Sequence, residues 1–332
     1  MSEMRAIVRQ GAAVRLQRMP VPVPDAGEVL IQVRVAGLSR TDVDPPADGP
    51  EPDPDPVVLG REFTGVIAEL AGDVRGFAAG DRVAVMPDLP CLSCERCAGG
   101  ATECCPRAER LGAGRHGAFS EFVAVPAHVV HRLPEALTFR EGAYAEPVCS
   151  ALAVLKADIK PPDRGLVQGA GRVARLTERV LRSYGFDSVE VGASLAGLPR
   201  DAYDFVVECD PGGPALDGML RVVRPGGRIV LRSRPAGPVP VDLAAAVGKE
   251  VTLQTVSYGT FQAALEFLAQ ESGKIADLLG CVRPLEDFAE MFSAERESQR
   301  FKSFFCPDFG GVGAAEIEAW GRLVRPDSGD QR

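Results

Sequence analysis

The chain is poor in lysine and histidine, with five lysines (Lys156, Lys160, Lys249, Lys274, Lys302) and three histidines (His116, His128, His131) in 332 residues. Lysine and arginine together number 37 against 46 acidic residues, a net charge of −9 at pH 7. Nucleic acids and anionic membrane surfaces select basic patches, so the charge argues against both as principal partners and a small-molecule or protein partner is expected instead. Long apolar runs are absent too. None approaches the roughly 18–20 residues of a membrane span, and the opening MSEMRAIVRQ has no apolar signal-peptide stretch, so a soluble, cytoplasmic protein is expected. Nine cysteines do not make this a secreted disulfide scaffold. Four of them sit in one short cluster of a large acidic chain, which points to metal binding in a reducing compartment.

A 45% hydrophobic content over this length can bury a real core, and the length exceeds what one compact unit usually takes, so two domains are expected. Short β-type runs broken by Gly and Pro cover 5–9, 29–36, 65–69, 82–85 and 122–125, the pattern of a small all-β, barrel-like domain. From about Gly165 a short apolar strand, a glycine-rich turn and a helix follow one another. Val173, Leu176, Val180 and Leu181 form the apolar stripe of that helix, which ends at Gly185. This opens a doubly wound α/β domain. It continues with strands at 189–191, 205–208, 228–231 and 251–256 and helices near 215–223 and 261–270, with Pro225-Gly226-Gly227 as a helix-to-strand turn. After Leu278 the pattern becomes irregular and β-like up to 301–306, which predicts a return to the first domain before a polar tail at 326–332. The expected boundaries are 1–150, 151–278 and 279–332.

Cys91, Cys94, Cys97 and Cys105 stand in the spacing C-x2-C-x2-C-x7-C, with Gly100 giving the turn that brings the last thiol back; Cys104 does not fit that spacing. Zinc takes four soft ligands in a tetrahedron, and an all-cysteine shell leaves no open position for water or substrate. The reading is a structural zinc lobe over about residues 88–108, against free or disulfide-paired thiols as the alternative.

Residues 90–105, preceded by Gly80-Asp81-Arg82-Val83 and followed by Gly117-Ala118-Phe119-Ser120-Glu121-Phe122, resemble the structural-zinc lobe of the zinc-containing alcohol and polyol dehydrogenases of the medium-chain dehydrogenase/reductase superfamily. The similarity runs from Met4-Arg5-Ala6-Ile7 to Phe301-Lys302. It implies a GroES-like β-barrel substrate domain plus a Rossmann cofactor domain, with the active site in the cleft between them. It also implies a homo-oligomer, dimer or tetramer.

In that family the catalytic zinc takes a Cys from C-x-[ST]-D, a His from G-H-E and a later Cys or Glu. The matching segments here read Ser39-Arg40-Thr41-Asp42, Gly60-Arg61-Glu62 and Glu146-Pro147, so two ligands are replaced. A serine hydroxyl is a poor zinc ligand at neutral pH, and a guanidinium has no lone pair to give and carries a fixed positive charge. None of the three histidines falls at a ligand position. Arg61 is expected to stand in for the metal electrostatically, paired with Glu62 or Glu146 or bound to a substrate oxygen; a purely structural salt bridge is the alternative. Zinc-free quinone and enoyl reductases of the superfamily also carry Gly-Arg-[DE] there. Thr41 matches the family's hydroxyl that hydrogen-bonds the reacting oxygen, and Ser39, Glu62 and Glu146 complete the catalytic candidates. The Glu146-Pro147 pair resembles polyol dehydrogenases, which implies a sugar-like or cyclitol substrate.

Gly169-Ala170-Gly171-Arg172-Val173-Ala174 follows a strand and opens a helix, the context in which G-x-G-x-x-[GA] becomes a dinucleotide loop. The first glycine permits the tight turn, the second lets a pyrophosphate approach the backbone, and the helix N-terminus favours negative charge. Gly169, Gly171 and Ala174 are therefore the cofactor candidates in this loop. The second strand ends at Gly192, where an NAD-dependent relative has an acidic residue. Gly192-Ala193-Ser194 is closer to the Gly-Ser-Arg of some NADP-dependent relatives, with Arg200 as the stand-in for the missing arginine, so NADP is favoured over NAD. Only residues 193–203 separate this strand from the next, although a helix plus a strand needs roughly 20 residues. One α/β unit of the Rossmann domain is thus expected to be missing. An NAD(P)-dependent oxidoreductase of a small hydroxyl, carbonyl or activated-alkene substrate, without catalytic zinc, is the leading expectation. Its rival is a repurposed non-redox enzyme or non-catalytic binding protein on the same fold, with lost or weakened dinucleotide binding.

Overall fold

The computed structural model describes residues 2–44, 56–210, 215–233, 235, 237–297 and 300–308. The polar tail expected at 326–332 lies outside them. By internal contacts the described chain divides into two units, residues 2–44, 56–145 and 279–308 forming one and residues 146–278 the other.

The first unit is built of short strands. It opens with β1 (Glu3–Gln10), β2 (Ala13–Pro20) and β3 (Glu28–Gly37), followed by the short helix α1 (Arg40–Val43). Then come β4 (Val57–Val58), β5 (Glu62–Leu70), β6 (Arg82–Val85), β7 (Asp88–Leu89), α2 (Glu95–Ala98), β8 (Glu109–Arg110), β9 (Phe122–Pro126), β10 (Val130–Arg132) and α3 (Phe139–Gly142). The second unit runs from α4 (Ala145–Leu152) through β11 (Gly165–Gln168), α5 (Arg172–Ser183), β12 (Val189–Gly192), β13 (Tyr203–Glu208), α6 (Leu216–Val222), β14 (Val223–Leu231), α7 (Leu243–Gly248) and β15 (Thr252–Thr255) to α8 (Phe261–Ile275). The chain then rejoins the first unit as β16 (Leu279–Arg283), α9 (Phe288–Glu297) and β17 (Lys302–Phe305).

In the first unit β10-β6-β5-β3-β17-β16 form one sheet, with β9 also on β3, and β2-β1-β4 form a second. The inward faces bring Ile7, Ile31, Val33, Phe63, Val83, Phe119 and Phe305 into a single core. There Phe119 meets Phe305 edge-on, ring centroids 4.9 Å apart. This is the barrel-like domain the β-type runs imply, and β17 is the returning strand: Phe304 and Phe305 pair with Gly37 and Ala36 of β3. The stretch after Leu278 is not only β-like, however, because α9 stands between β16 and β17.

The second unit holds a five-stranded sheet in the order β12-β11-β13-β14-β15, and every neighbouring pair is parallel. Its central strand β13 is almost wholly buried, as a parallel strand covered on both faces must be. The expected stripe of α5 is buried at Leu176, Val180 and Leu181, with Leu181 packed in one cluster with the strand residues Val167 and Val189, while Val173 is only half-buried. The helix stops at Ser183, and Gly185 (φ +86°) takes the left-handed turn beyond it. Pro225-Gly226-Gly227 is not a turn between elements. It is an irregular stretch within β14, where the pairing with β13 slips between Tyr203 and Phe205. Between β12 and β13 residues 193–202 form neither helix nor strand, which leaves β12 at the edge of the sheet. The doubly wound sheet is therefore short of one α/β unit.

Candidate functional site

The four clustered cysteines converge. Leu92 (φ +54°) and Gly100 (φ +82°) fold the two arms of the loop, and the four sulfurs all lie within 4.8 Å of one another. Neighbouring sulfurs are 3.4 Å (Cys94–Cys97), 3.5 Å (Cys91–Cys105) and 3.8 Å (Cys94–Cys105) apart. A zinc about 2.3 Å from each sulfur of a tetrahedron sets S–S edges of about 3.8 Å, so the donors already have the spacing the ion needs. Backbone N–H groups of Cys97 and Cys91 point at the Cys94 and Cys105 sulfurs, at 3.5 and 3.4 Å. Four thiols this close cannot all ionise alone. The Ser93 backbone N–H, ahead of other hydrogen bonds, holds Cys91 down at about 5. Desolvation, then the Cys94 and Cys105 thiols, push Cys97 up to about 12. Cys104 is exposed and outside the cluster.

The residues matched to the family's catalytic-metal positions divide between the two units, and each set is described within its own unit. In the first unit, Ser39 and Thr41 are half-buried at the end of β3 and the start of α1, their hydroxyl oxygens 3.2 Å apart. Asp42 is fully buried, and its Oδ2 accepts the Ser39 backbone N–H at 2.8 Å. Arg61 precedes β5 and is 7% exposed. Gly60 fixes it in place: at φ +95° it passes so close to Phe119 that a Cβ would come within 2.4 Å of the ring.

Among the described residues the ion pair of Arg61 is with Asp42. Its Nη2 stands 3.7 Å from Asp42 Oδ1, an ion pair too long for a hydrogen bond. Arg61 Nε and Asp42 Oδ1 are both buried without a hydrogen-bond partner among the described residues. The reason is the alternation of an extended chain, which sends neighbouring side chains to opposite faces. Glu62 therefore meets Lys302 of β17 at 2.5 Å, the two side chains 3% and 1% exposed. Gly37 makes room for them, since a Cβ there would lie 2.8 Å from Lys302 Cε. Two buried cations thus face two buried carboxylates. The Lys302–Glu62 pair is closed, whereas Arg61 uses none of its five N–H donors on Asp42, the geometry of a cation able to receive an oxygen. Neither Asp42 as Arg61's partner nor Lys302 was expected from the sequence, because both follow from strand pairing rather than from a motif.

In the second unit Glu146 opens α4, and its Oε1 accepts the Tyr258 hydroxyl at 2.5 Å. Tyr258 lies in the loop after β15, where no motif signals it.

The glycine loop lies at the carboxyl end of β11. Gly169 has φ +145°, and a Cβ on it would meet the Cys209 carbonyl oxygen at 2.8 Å, so only glycine turns here. Gly171 caps α5 without a side chain, and Ala174 is fully buried beneath the loop. An open backbone turn leading into a 12-residue helix fits a pyrophosphate. The Gly169 N–H donates to the Gly192 carbonyl, tying the loop to the end of β12. No carboxylate follows at that end. Ser194 is exposed, and its hydroxyl accepts the Ala196 N–H at 3.1 Å. Glu190 is engaged elsewhere: Arg164 chiefly, then the Tyr203 hydroxyl, holds it below the usual carboxylate range.

A network missed by the sequence reading joins the same sheet end. Glu208 is fully buried and accepts backbone N–H groups of Asp210, Arg232 and Ser233. The Arg232 guanidinium donates to Thr177 Oγ1, Cys209 Sγ and Ser150 Oγ, bracing β13 and β14 against α5 and α4. Burial raises the Cys209 thiol above its usual value, with Arg232 opposing.

Residues 25–135 match the alcohol dehydrogenase GroES-like domain family. L-threonine 3-dehydrogenase from Streptomyces avermitilis is 32% identical over 77% of this chain and 84% of its own length. D-altritol 5-dehydrogenase from Agrobacterium fabrum is 31% identical over 66% of this chain and 73% of its own. The solved structure of a thermostable alcohol dehydrogenase from Pyrobaculum aerophilum, bound to cobalt and zinc, matches with a TM-score of 0.76 at 28% identity, over 92% of this chain and 100% of that one.

Proposed function

Because the chain belongs to the medium-chain dehydrogenase/reductase superfamily, among the zinc-type alcohol and polyol dehydrogenases, we propose that it carries out their hydride transfer without a catalytic zinc, with Arg61 supplying the positive charge. It is an alcohol dehydrogenase-like oxidoreductase that uses a nicotinamide dinucleotide on a small substrate. The observation that carries the zinc-free reading is Arg61 itself: a buried guanidinium at a metal-ligand position whose ion pair among the described residues is 3.7 Å long. A cation cannot ligate a cation. As hydride reaches a carbonyl carbon, negative charge grows on the oxygen, and a preorganised guanidinium in a dry site stabilises it. The Thr41 hydroxyl donates a hydrogen bond to the same oxygen, while Lys302 and Glu62 neutralise each other.

When bound, the nicotinamide supplies or takes up the hydride. The loop of Gly169, Gly171 and Ala174 would hold the pyrophosphate, and Gly192 with Ser194 leaves no carboxylate to repel a 2′-phosphate, which favours NADP over NAD. Cys91, Cys94, Cys97 and Cys105 hold a structural zinc in this reading. A dimer or tetramer belongs to it as well.

The test replaces Arg61→Met together with Asp42→Asn, so that no buried charge is stranded. Loss of one charge-stabilising donor group typically costs about 100- to 1,000-fold in kcat, and that loss is expected with NADPH affinity unchanged. A double variant that turns over like the parent would refute the role.

A further inference from the structure

An oxidised nicotinamide ring carries one positive charge and a reduced ring carries none, so a fixed charge near the ring distinguishes the two forms without touching either. The strand order of the second unit decides which residues lie on that side. A dinucleotide on such a sheet sets its adenosine ribose at the end of β12 and its pyrophosphate at the Gly169 loop after β11. Its nicotinamide half then continues past the ends of the next strands in order, β13 and β14.

Arg232 follows the end of β14, half-buried. Its guanidinium donates to Thr177 Oγ1 of α5 at 2.7 Å, to Cys209 Sγ at 3.2 Å and to Ser150 Oγ of α4 at 2.8 Å, all within the second unit and all neutral groups. Its Nε is buried without a hydrogen-bond partner among the described residues. The carboxylates at this sheet end face the other way. Glu208 spends both oxygens on backbone N–H groups of Asp210, Arg232 and Ser233, at 2.9, 3.2 and 2.8 Å. Asp210 Oδ2 accepts the Gln168 amide at 3.0 Å. Strand alternation separates the two faces: Val207 and Val230 pack with Cys209 in one cluster, whereas Leu166 and Val206, the alternate neighbours of Gln168 and Glu208, pack in the other. At the Cys209 thiol, raised above all by burial, the opposing effect of Arg232 exceeds the push from Glu208.

We propose that Arg232 makes the dinucleotide site selective for the reduced, uncharged nicotinamide, an inference that rests on the nicotinamide-dependent reading above. Three hydrogen bonds to α4, α5 and the end of β13 fix the guanidinium, so its charge stays in place when a dinucleotide binds. Adenosine and pyrophosphate are the same in both redox forms, and their contributions cancel in the comparison. What remains is repulsion of the pyridinium by Arg232. By linkage the bound couple is held at a higher potential than the free one, by about 30 mV for each tenfold difference in affinity. Arg232 therefore favours hydride arriving at the ring, where the incoming electron pair cancels the pyridinium charge.

The experiment titrates the full chain with its zinc against NADPH, NADP and adenosine 2′,5′-bisphosphate, which keeps the adenosine half and lacks the ring. The parent is expected to bind NADPH about tenfold or more tightly than NADP. Arg232→Gln removes the charge and can still donate to a hydroxyl; it is expected to lower that ratio by about tenfold, chiefly through tighter NADP, with bisphosphate affinity changed by less than about twofold. Arg232→Lys keeps the charge and is expected to keep the ratio within about threefold of the parent. Equal affinities for NADPH and NADP in the parent overturn the inference however the variants fold. An Arg232→Gln protein with the parent's ratio overturns it too, as does one that loses all three ligands alike, because Arg232 is then only a brace. A parent that binds neither dinucleotide brings down the nicotinamide-dependent reading, and this inference with it.

Discussion

Lys302 and Glu62 show what burying charge demands of individual residues. With one partner gone, the other charge is stranded in an apolar interior, at a cost of about 3–5 kcal/mol. Lys302→Met is therefore expected to lower stability by that amount in urea unfolding, and adding Glu62→Gln to recover most of the loss. Equal losses in the single and double variants would contradict the pair. This scale was the least legible in the sequence. That Arg61 replaces a ligand is visible from the segment Gly60-Arg61-Glu62, but its partner is not, because strand pairing and alternation decide which carboxylate it meets. The contact of Tyr258 with Glu146 was invisible for the same reason: a loop residue meets α4 only through the fold, where Cys149 grips the next residue.

Elements were legible where period or punctuation was strong. The stripe of α5 and the turn at Gly185 gave that helix, and the short β-type runs broken by Gly and Pro gave β3, β5, β6 and β9. β2 escaped because none of its residues is fully buried: Val14 and Leu16 are only half-buried against the core, among Arg15, Gln17 and Arg18. α9 escaped because five of its ten residues are charged or hydroxylic and only Met291, Phe292 and Glu295 are buried. The glycine loop and the short β12–β13 connection together set the cofactor prediction. A missing α/β unit removes part of the adenosine wall while the pyrophosphate turn persists. Fluorescence titration is expected to give saturable NADPH binding weaker than about 1 μM, and weaker still for NADH. Gly169→Ala, which forces a Cβ onto the Cys209 carbonyl, should lose at least about tenfold more. Sub-micromolar NADPH affinity in the parent, or NADH bound more tightly than NADPH, would count against this account of the trimmed sheet.

Across the whole molecule, the two-fold-class reading from sequence holds: a barrel-like β unit with a zinc lobe and a parallel α/β unit short of one repeat. Among the described residues no helix is long and apolar enough to cross a membrane. The lobe and the dinucleotide turn were legible because each is a local spacing imposed by a ligand's geometry. The ion-pair site was not, since it draws on residues as far apart in sequence as Glu62 and Lys302. The account turns on one claim, that a buried arginine has taken the place of a catalytic metal. The most direct measurement is the zinc content of the purified, catalytically active chain by elemental analysis. One zinc per chain, lost when Cys97→Ser breaks the cluster, is the predicted result; a second equivalent that persists in Cys97→Ser and tracks with activity would contradict it.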